Sequence, residues 1–276
     1  MVSAIAKASR RIRSRFSGGR FGAVSLRAQP PPFKILVGTH HKTGSSWMRG
    51  IFSKLCETFQ WTFYAGEQEF LPRQFEVFFN NHSRFAPADI HEPCRGVHVI
   101  RDPRDRIVSG CFYHQKSSEG WLHVKRPEFG GLTYQEKINS YATLDEQLLF
   151  EMEHAGRRGI EEMLSWEYHQ PGFYEARYED LIQDYDLRKF HDIFAFLGIP
   201  GEILPESLRI AYDNSLFSGN HRRSVHIRSG QPGQWVSYFK SRHRERFREL
   251  FGDALTILGY EPDHAWVSDE RAGGMS

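Results

Sequence analysis

The chain has 276 residues, of which 39% are hydrophobic and 25% charged. This length suits one substantial α/β domain and is short for two independent ones. No stretch approaches 18 consecutive apolar residues, so we expect no transmembrane segment, which argues against a membrane-anchored secretory enzyme. Three cysteines without CxxC spacing indicate reduced thiols and a cytoplasmic protein rather than a disulfide framework.

The first segment differs from the rest of the chain in charge. Residues 1–34 carry eight Lys and Arg and no Asp or Glu, which leaves 28 basic and 34 acidic residues for the remainder. We expect residues 1–32 to form a disordered basic leader, with organelle targeting and contact with nucleic acid or membrane as open alternatives. An α/β domain is expected over 33–264 and a flexible tail over 265–276.

The first predicted strand ends in a turn that favours an anion. "FKILVGT" (33–39) is short, apolar and ended by Gly, and so predicts a buried parallel strand. Ser45 and Ser46 are expected to cap the next helix, whose apolar residues repeat at helical spacing. Free backbone N–H groups and the helix dipole then point to one place, as in phosphate-binding turns. Lys42 adds a mobile positive charge there.

The Walker loop of ATP and GTP enzymes, G-x-x-x-x-G-K-[ST], is the obvious comparison, and the chain does not match it. Lys42 precedes Gly44 by two residues instead of following it, and five residues rather than four separate Gly38 from Gly44. A capped helix start with an incidental lysine is therefore one alternative. An ATP-dependent small-molecule kinase is the alternative function, with Asp102 as its magnesium-binding acid.

A second strand-to-helix unit carries an arginine and a serine. "EVFFNNH" (76–82) and "GVHVIRD" (96–102) predict two further strands, and Asp102, followed by proline, is expected to cap a helix. Arg101 ends the later strand, and Ser109 lies eight residues further on. A guanidinium offers bidentate donors to a phosphate, and a hydroxyl can add one more. A structural ion pair is the alternative for Arg101.

The remaining chain predicts helices, one more strand and one long loop. Residues 133–169 have a helical pattern, and "GFYEARYED" (172–180) predicts a strand. Amphipathic helices are expected over 186–200 and around 240–259. The basic Gly/Pro loop 217–235 is too long for a plain connection, which favours a functional role. The alternation of strand, turn and helix predicts a doubly wound parallel sheet flanked by helices in a single domain.

Three segments together resemble the sulfotransferase family that uses 3′-phosphoadenosine 5′-phosphosulfate (PAPS). "HKTGSSW" (41–47) is similar to the family's 5′-phosphosulfate loop, and "IRDPRDRIVS" (100–109) to its 3′-phosphate segment, with the same Arg-to-Ser spacing. "RSGQPGQW" (228–235) is similar to its R-x-G-x-x-G-x-W signature. The segments occur in family order, and 34–260 fits one P-loop-like family domain.

The resemblance implies a role for each matching position. The residues implied for the 5′-phosphosulfate are Lys42, Thr43, Gly44, Ser45 and Ser46. Those implied for the 3′-phosphate are Arg101, Ser109, Arg228, Ser229 and Gly230. Trp47 and Tyr178 would lie beside the adenine, with core packing as the alternative for Tyr178. Ser229 stands where many members have lysine, so Arg222 or Arg223 is a candidate replacement for that contact.

Transfer of a sulfuryl group to a hydroxyl needs a base and a positive charge at the leaving phosphate. Histidine suits the first task because its pKa lies near 7, and Lys42 suits the second. His82 ends a predicted strand, close to the position of the family's catalytic histidine, although Asn80 stands where the family often has lysine. Glu67 and Glu69 remain alternative bases, because some carbohydrate-specific relatives use glutamate.

The sequence therefore predicts a sulfotransferase that moves a sulfuryl group from PAPS to a hydroxyl or amine by in-line displacement and releases 3′,5′-bisphosphoadenosine (PAP). No metal is expected, since Lys42, Arg101 and the helix dipole supply positive charge, and the paired His40 and His41 have no partners at zinc-ligand spacing. We expect a small-molecule or carbohydrate acceptor and, because the remainder is net acidic, no nucleic acid partner. A homodimer stays open.

Overall fold

The computed structural model describes residues 28–218 and 230–268. Its sheet is parallel throughout and has the strand order β2-β3-β1-β4-β5. The strands are Lys34–Gly38 (β1), Phe63–Ala65 (β2), Val77–Asn80 (β3), Cys94–Ile100 (β4) and Phe173–Arg177 (β5). The predicted α/β class with a parallel sheet is confirmed, and β2 is a strand that the sequence pattern did not predict.

Helices connect the strands and make up most of the described residues in the second half of the chain. The α-helices of the described residues are Ser45–Phe59 (α1), Pro103–His114 (α2), Tyr134–Asn139 (α3), Leu144–Glu151 (α4), Arg157–Leu164 (α5), Tyr178–Ile182 (α6), Arg188–Phe196 (α7), Leu204–Asp213 (α8), Trp235–Tyr238 (α9), Ser241–Phe251 (α10) and Ala254–Ile257 (α11). A π-helical turn over Met152–Gly156 joins α4 to α5. Over these described ranges, every helix is too short or too polar to cross a membrane.

The chain divides into two compact units. The first comprises Met1–Ile100 and Glu167–Gly230, and the second comprises Arg101–Trp166 and Gln231–Ser276. All five strands belong to the first unit, together with α1, α6, α7 and α8. The second unit contains the remaining helices.

The central strand β1 brings the ends of its neighbours to one edge of the sheet. Residues 35–37 are fully buried, as is typical of a strand inside a parallel sheet. Gly38, the last residue of β1, is opposite Asn80 at the end of β3 and opposite His98 within β4. The loops that follow β1 and β3 therefore start side by side at the carboxyl edge, where sheets of this kind bind ligands.

Helix α1 begins differently from the sequence prediction. Its apolar stripe is buried as expected, but its N-cap is Gly44, in the left-handed region at φ 97°. Glycine adopts this conformation without steric cost. The hydroxyl of Ser45 instead donates to the carbonyl of His40 over 2.7 Å. The prediction that Ser45 and Ser46 cap the helix is wrong, because the cap lies one residue earlier.

Several predicted boundaries also move. The strand predicted over 76–82 ends at Asn80, and the strand predicted over 172–180 ends at Arg177, so that Tyr178 begins α6. The helix predicted around 240–259 divides at Gly252 into α10 and α11, and α8 was not predicted. The amphipathic helix predicted over 186–200 is confirmed as α7, which buries its apolar face.

The second unit begins with the capped helix that the sequence predicted. Asp102 accepts a hydrogen bond from the backbone N–H of Arg104 over 2.9 Å, and Pro103 occupies the first helical position. The Arg104 guanidinium also donates to the Asp102 carboxylate and stacks over the Trp235 ring at 3.7 Å. The start of α2 is thereby fixed against the segment that leads into α9.

Candidate functional site

The loop after β1 is closed by one backbone carbonyl. The carbonyl of His40 accepts from the N–H of Thr43 at 3.0 Å, from the Thr43 hydroxyl at 2.8 Å and from the Ser45 hydroxyl at 2.7 Å. The N–H of His40 donates back to the Thr43 hydroxyl at 2.8 Å. Lys42 lies at the top of this turn, half-buried and in the left-handed region at φ 68°. The turn is therefore fixed by its own hydroxyls before any ligand binds.

The N-terminus of α1 follows directly from this turn. Because Gly44 is the N-cap, no side chain at that position accepts from the amides of the first helical turn. Ser46 is exposed there, and α1 is 15 residues long. A helix of this length offers its first amides and the positive end of its dipole to an anion. The backbone around Gly44 thus has the geometry of an anion-binding turn.

Aromatic side chains surround the start of α1. The ring of Trp47 makes edge-to-face contacts with Tyr178 at 6.2 Å and Phe190 at 5.6 Å between centroids. The Tyr178 hydroxyl donates to the carbonyl of Gly230 over 3.1 Å. A Cβ added at Gly44 would lie 3.1 Å from the Tyr178 ring. The first unit thus brings together four of the predicted positions, Gly44, Trp47, Tyr178 and Gly230.

Trp47 has one feature that points to a ligand. Its Nε1 atom is buried and has no hydrogen-bond partner within the part of the chain that the structure describes. Buried polar atoms in native proteins normally have a partner, so this N–H is suited to an acceptor supplied from outside the chain.

The loop after β3 is shaped by Asn80, which is 1% exposed. Its Oδ1 accepts from the N–H of His82 at 2.9 Å and of Arg84 at 3.1 Å, while its Nδ2 donates to the carbonyl of Gly66 at 2.9 Å. Asparagine commonly forms such a turn with the residue two positions on. Asn80 therefore ends β3 and fixes the backbone that carries the half-buried His82.

Two hydrogen bonds join the loop after β3 to the loop after β1. The N–H of Thr39 donates to the carbonyl of Asn80 over 3.2 Å, and the hydroxyl of Ser83 donates to the carbonyl of Thr39 over 3.0 Å. His82 is thereby held beside the loop of Lys42. The alternative bases Glu67 and Glu69 are exposed and follow β2, the next strand out from β3.

In the second unit, Arg101 lies two residues before α2 and Ser109 lies within it. Arg101 is 6% exposed, and its Nη2 lies 3.8 Å from the Asp105 carboxylate, so the ion pair considered from the sequence is present. Ser109 is half-buried. Burial raises the pKa of the Asp105 carboxyl, although Arg101 and two backbone N–H groups oppose the shift.

Those two N–H groups give Asp105, which the sequence suggests only as an ion-pair partner of Arg101, a second role. The Asp105 carboxylate accepts from the N–H of Gly233 at 2.7 Å and from the N–H of Trp235 at 2.9 Å. Asp105 therefore fixes the end of the segment that resembles R-x-G-x-x-G-x-W. The predicted residues Arg228 and Ser229 lie outside the described residues, as do Arg222 and Arg223.

The five-stranded parallel sheet and the anion-binding turn after its central strand define a nucleotide-binding α/β protein of P-loop-like type. A family model described as "Sulfotransferase domain" matches residues 32–259, a range that runs through both units. The chain belongs to this sulfotransferase family, and the predicted class of PAPS-dependent sulfotransferase is confirmed.

Solved structures share the fold at low sequence identity. The chain is similar to mouse sulfotransferase SULT7A1 complexed with PAP, with a TM-score of 0.55 and 16% identity over 86% of this chain and 90% of that one. It is also similar to retinol dehydratase in complex with androsterone and the inactive cofactor PAP, with a TM-score of 0.50 and 15% identity over 83% and 82% of the two chains. No curated protein sequence matches this chain.

Proposed function

We propose that the protein transfers a sulfuryl group from PAPS to a hydroxyl or amine acceptor, with His82 as the general base and Lys42 as the cation that neutralises the leaving phosphate. The observation that carries the proposal is that both residues follow adjacent strands, β3 and β1, whose loops are hydrogen-bonded to each other. In-line transfer needs the base on the acceptor side of the loop that binds the donor, and adjacent loops meet that need.

The residues of the first unit fit the 5′ end of the donor. The amides at Gly44, Ser45 and Ser46 and the charge of Lys42 suit a doubly charged anion, and the buried N–H of Trp47 suits one further acceptor atom. PAPS, when bound, supplies an activated sulfuryl group. Lys42 stabilises the negative charge that develops on the phosphate as the group leaves.

His82 is favoured over the glutamates by its position in the sheet. Adjacent strands lie about 5 Å apart, so the end of β3 is about 5 Å from β1 and the end of β2 about 10 Å. His82 is also half-buried, whereas Glu67 and Glu69 are exposed to water. A neutral imidazole can take the acceptor proton near neutral pH, which a fully solvated carboxylate does less well.

We propose that Arg101 and Ser109 bind the 3′-phosphate of the donor. Arg101 and Ser109 supply a guanidinium and a hydroxyl, and we propose that Arg228, Ser229 and the Gly230 region add to this site. Tyr178 packs against the donor loop and is proposed to lie beside the adenine. Retinol dehydratase has been crystallised with androsterone, which makes a small hydroxyl-bearing molecule the first acceptor class to assay here.

The test is transfer from labelled PAPS to a panel of sterols, phenols and sugars, with EDTA present because the proposal uses no metal ion. His82→Ala is expected to lower kcat by about 100-fold or more, the usual contribution of a general base, with PAP affinity unchanged within about twofold. His91→Ala is the matched control, because His91 is exposed on the same unit. If His82→Ala keeps near-normal turnover, while Glu67→Gln or Glu69→Gln does not, the base is a glutamate.

A further inference from the structure

Two fully buried histidines and a glutamate form a hydrogen-bonded chain in the first unit. Nε2 of His40 lies 2.9 Å from Nε2 of His98, and Nδ1 of His98 lies 2.6 Å from the carboxylate of Glu175. Both histidines are 0% exposed, whereas the Glu175 side chain is 25% exposed. The chain of contacts runs from the loop after β1 through β4 to β5, the three strands on that side of the sheet.

The chemistry of the three groups gives this chain a direction. A carboxylate can only accept, so Nδ1 of His98 carries a proton and donates to Glu175. Burial lowers the pKa of His98 and so favours the neutral ring, although Glu175 acts in the opposite direction. Nε2 of a neutral His98 is then an acceptor, and Nε2 of His40 must be the donor. Glu175 thus determines the tautomers of both histidines.

His40 connects this buried chain to the donor loop. Its carbonyl is the atom that accepts from both the N–H and the hydroxyl of Thr43 and from the hydroxyl of Ser45. The His98 contact holds the His40 ring from one side, and the ring is joined through Cβ and Cα to the carbonyl that accepts these three bonds. One residue, His40, therefore belongs both to the buried hydrogen-bonded chain and to the turn that carries Lys42.

We propose that His98 and Glu175 are positioning residues for the donor loop, and that they act by holding His40 in one orientation. The proposal rests on the proposed function for its ligand, PAP. It assigns a role to Glu175 on β5, whereas His82 follows β3, and the strands β1 and β4 lie between these two in the sheet. The Tyr168 ring also packs edge-to-face against the His98 ring, at 5.7 Å between centroids.

The rival explanation is that the buried rings fill space only. Three variants separate the explanations. His98→Leu fills the space but cannot bond to His40, whereas the amide oxygen of glutamine in His98→Gln can take the position of Nε2 and accept from His40. Glu175→Gln keeps the shape of the side chain, but the glutamine amide can donate as well as accept. The hydrogen bonds between residues 175, 98 and 40 then no longer have one fixed direction.

The affinity for PAP is measured by calorimetry and the KM for PAPS and for the acceptor by assay. His98→Leu is expected to weaken PAP binding about tenfold, the effect of about one lost hydrogen bond. The KM for the acceptor should stay unchanged, and His98→Gln should restore PAP affinity to within about threefold of the wild type. Ser207→Ala, which removes a buried hydroxyl from α8 of the same unit, serves as the control and should bind PAP normally.

The second measurement is the 15N spectrum of the histidine rings in the full chain. The wild type should show His98 protonated at Nδ1 and His40 at Nε2, and Glu175→Gln should show both tautomers of each ring. The proposal is overturned if His98→Leu binds PAP as the wild type does, if His98→Gln is no better than His98→Leu, or if the two rings show the opposite tautomers. If the wild type itself does not bind PAP, the proposed function is wrong, and the spectra alone decide whether Glu175 orders the two rings.

Discussion

The hydroxyl of Ser83 donates a hydrogen bond to the backbone carbonyl of Thr39 over 3.0 Å. Thr39 leads into the loop of Lys42, and Ser83 directly follows His82. This bond, with the one from the N–H of Thr39 to the carbonyl of Asn80, sets the spacing between the proposed base and the proposed donor loop. The proposed catalytic geometry thus depends on two loops at the ends of adjacent strands rather than on either loop alone.

Gly38 is the residue that allows this close approach. A Cβ added at Gly38 would lie 2.8 Å from both the Ser83 hydroxyl and the Phe85 ring, which is shorter than a non-bonded contact of a Cβ atom allows. Gly38→Ala should therefore displace the loop of His82 and lower kcat by about 100-fold, the cost of a small misplacement of a catalytic group. Gly201→Ala is the control, because a Cβ there meets no atom within 4 Å. Equal kcat values for the two variants would contradict the structural role of the Ser83 contact.

Asn80 should be needed for both stability and turnover. Asn80→Ala removes an acceptor for two backbone amides and a donor to the Gly66 carbonyl, from a side chain that is itself buried. We expect the free energy of unfolding to fall by about 2 kcal/mol, because two backbone amides lose their acceptor and the Gly66 carbonyl loses its donor. Asn81→Ala, at the exposed neighbouring position, should change neither urea denaturation nor kcat. The account of this loop fails if both variants denature at the same urea concentration.

Asp105 should hold the segment before α9 in place. Asp105→Ala leaves the N–H groups of Gly233 and Trp235 without their acceptor, and the expected loss in unfolding free energy is about 2 kcal/mol. Asp105→Asn retains one acceptor oxygen and should lose less. Asp263→Ala removes a comparable but exposed acceptor, from the N–H of Ala265, and should have little effect in the same denaturation experiment. An Asp105→Ala protein as stable as Asp263→Ala would show that these bonds contribute nothing.

The cysteines should differ in reactivity. Burial, reinforced by the charge of Glu76, raises the pKa of the Cys56 thiol to about 12, so that it stays protonated at pH 8. Cys111 is also buried, whereas Cys94 is half-buried. Iodoacetamide reacts with thiolates and should modify Cys94 first in the native protein and all three cysteines after denaturation, as measured by mass spectrometry. Modification of native Cys56 as fast as Cys94 would contradict its buried position.

The sequence predicts the parts of this protein that local patterns determine. Three features can each be recognised from a short stretch of sequence: the apolar run before Gly38, the apolar stripe of α1 and the Asp102 cap. The structure confirms all three. Strand β2 has only three residues, too few to show the alternation of a strand in its sequence. Its backbone hydrogen bonds to β3 form the strand instead.

The residues that shape the site were harder to predict because their partners are distant in the chain. Asp105 bonds to Gly233, 128 positions away, and His98 bonds to Glu175, 77 positions away. A single aspartate inside a helix or a histidine inside a strand gives no local sign of such a partner. Asn80 was noticed only as a departure from the family pattern, although a polar residue that ends an apolar strand is a common turn signal.

The most direct test of the whole account is a calorimetric titration of PAP and of adenosine 5′-monophosphate, which lacks the 3′-phosphate, against the wild type and three variants. Lys42→Ala should weaken both nucleotides by about tenfold or more, because each carries a 5′-phosphate. Arg101→Gln and Ser109→Ala should weaken PAP and leave the monophosphate unchanged. If Arg101→Gln weakens both nucleotides equally, or leaves PAP binding unchanged, the assignment of one bisphosphate nucleotide to Lys42 and Arg101 is wrong.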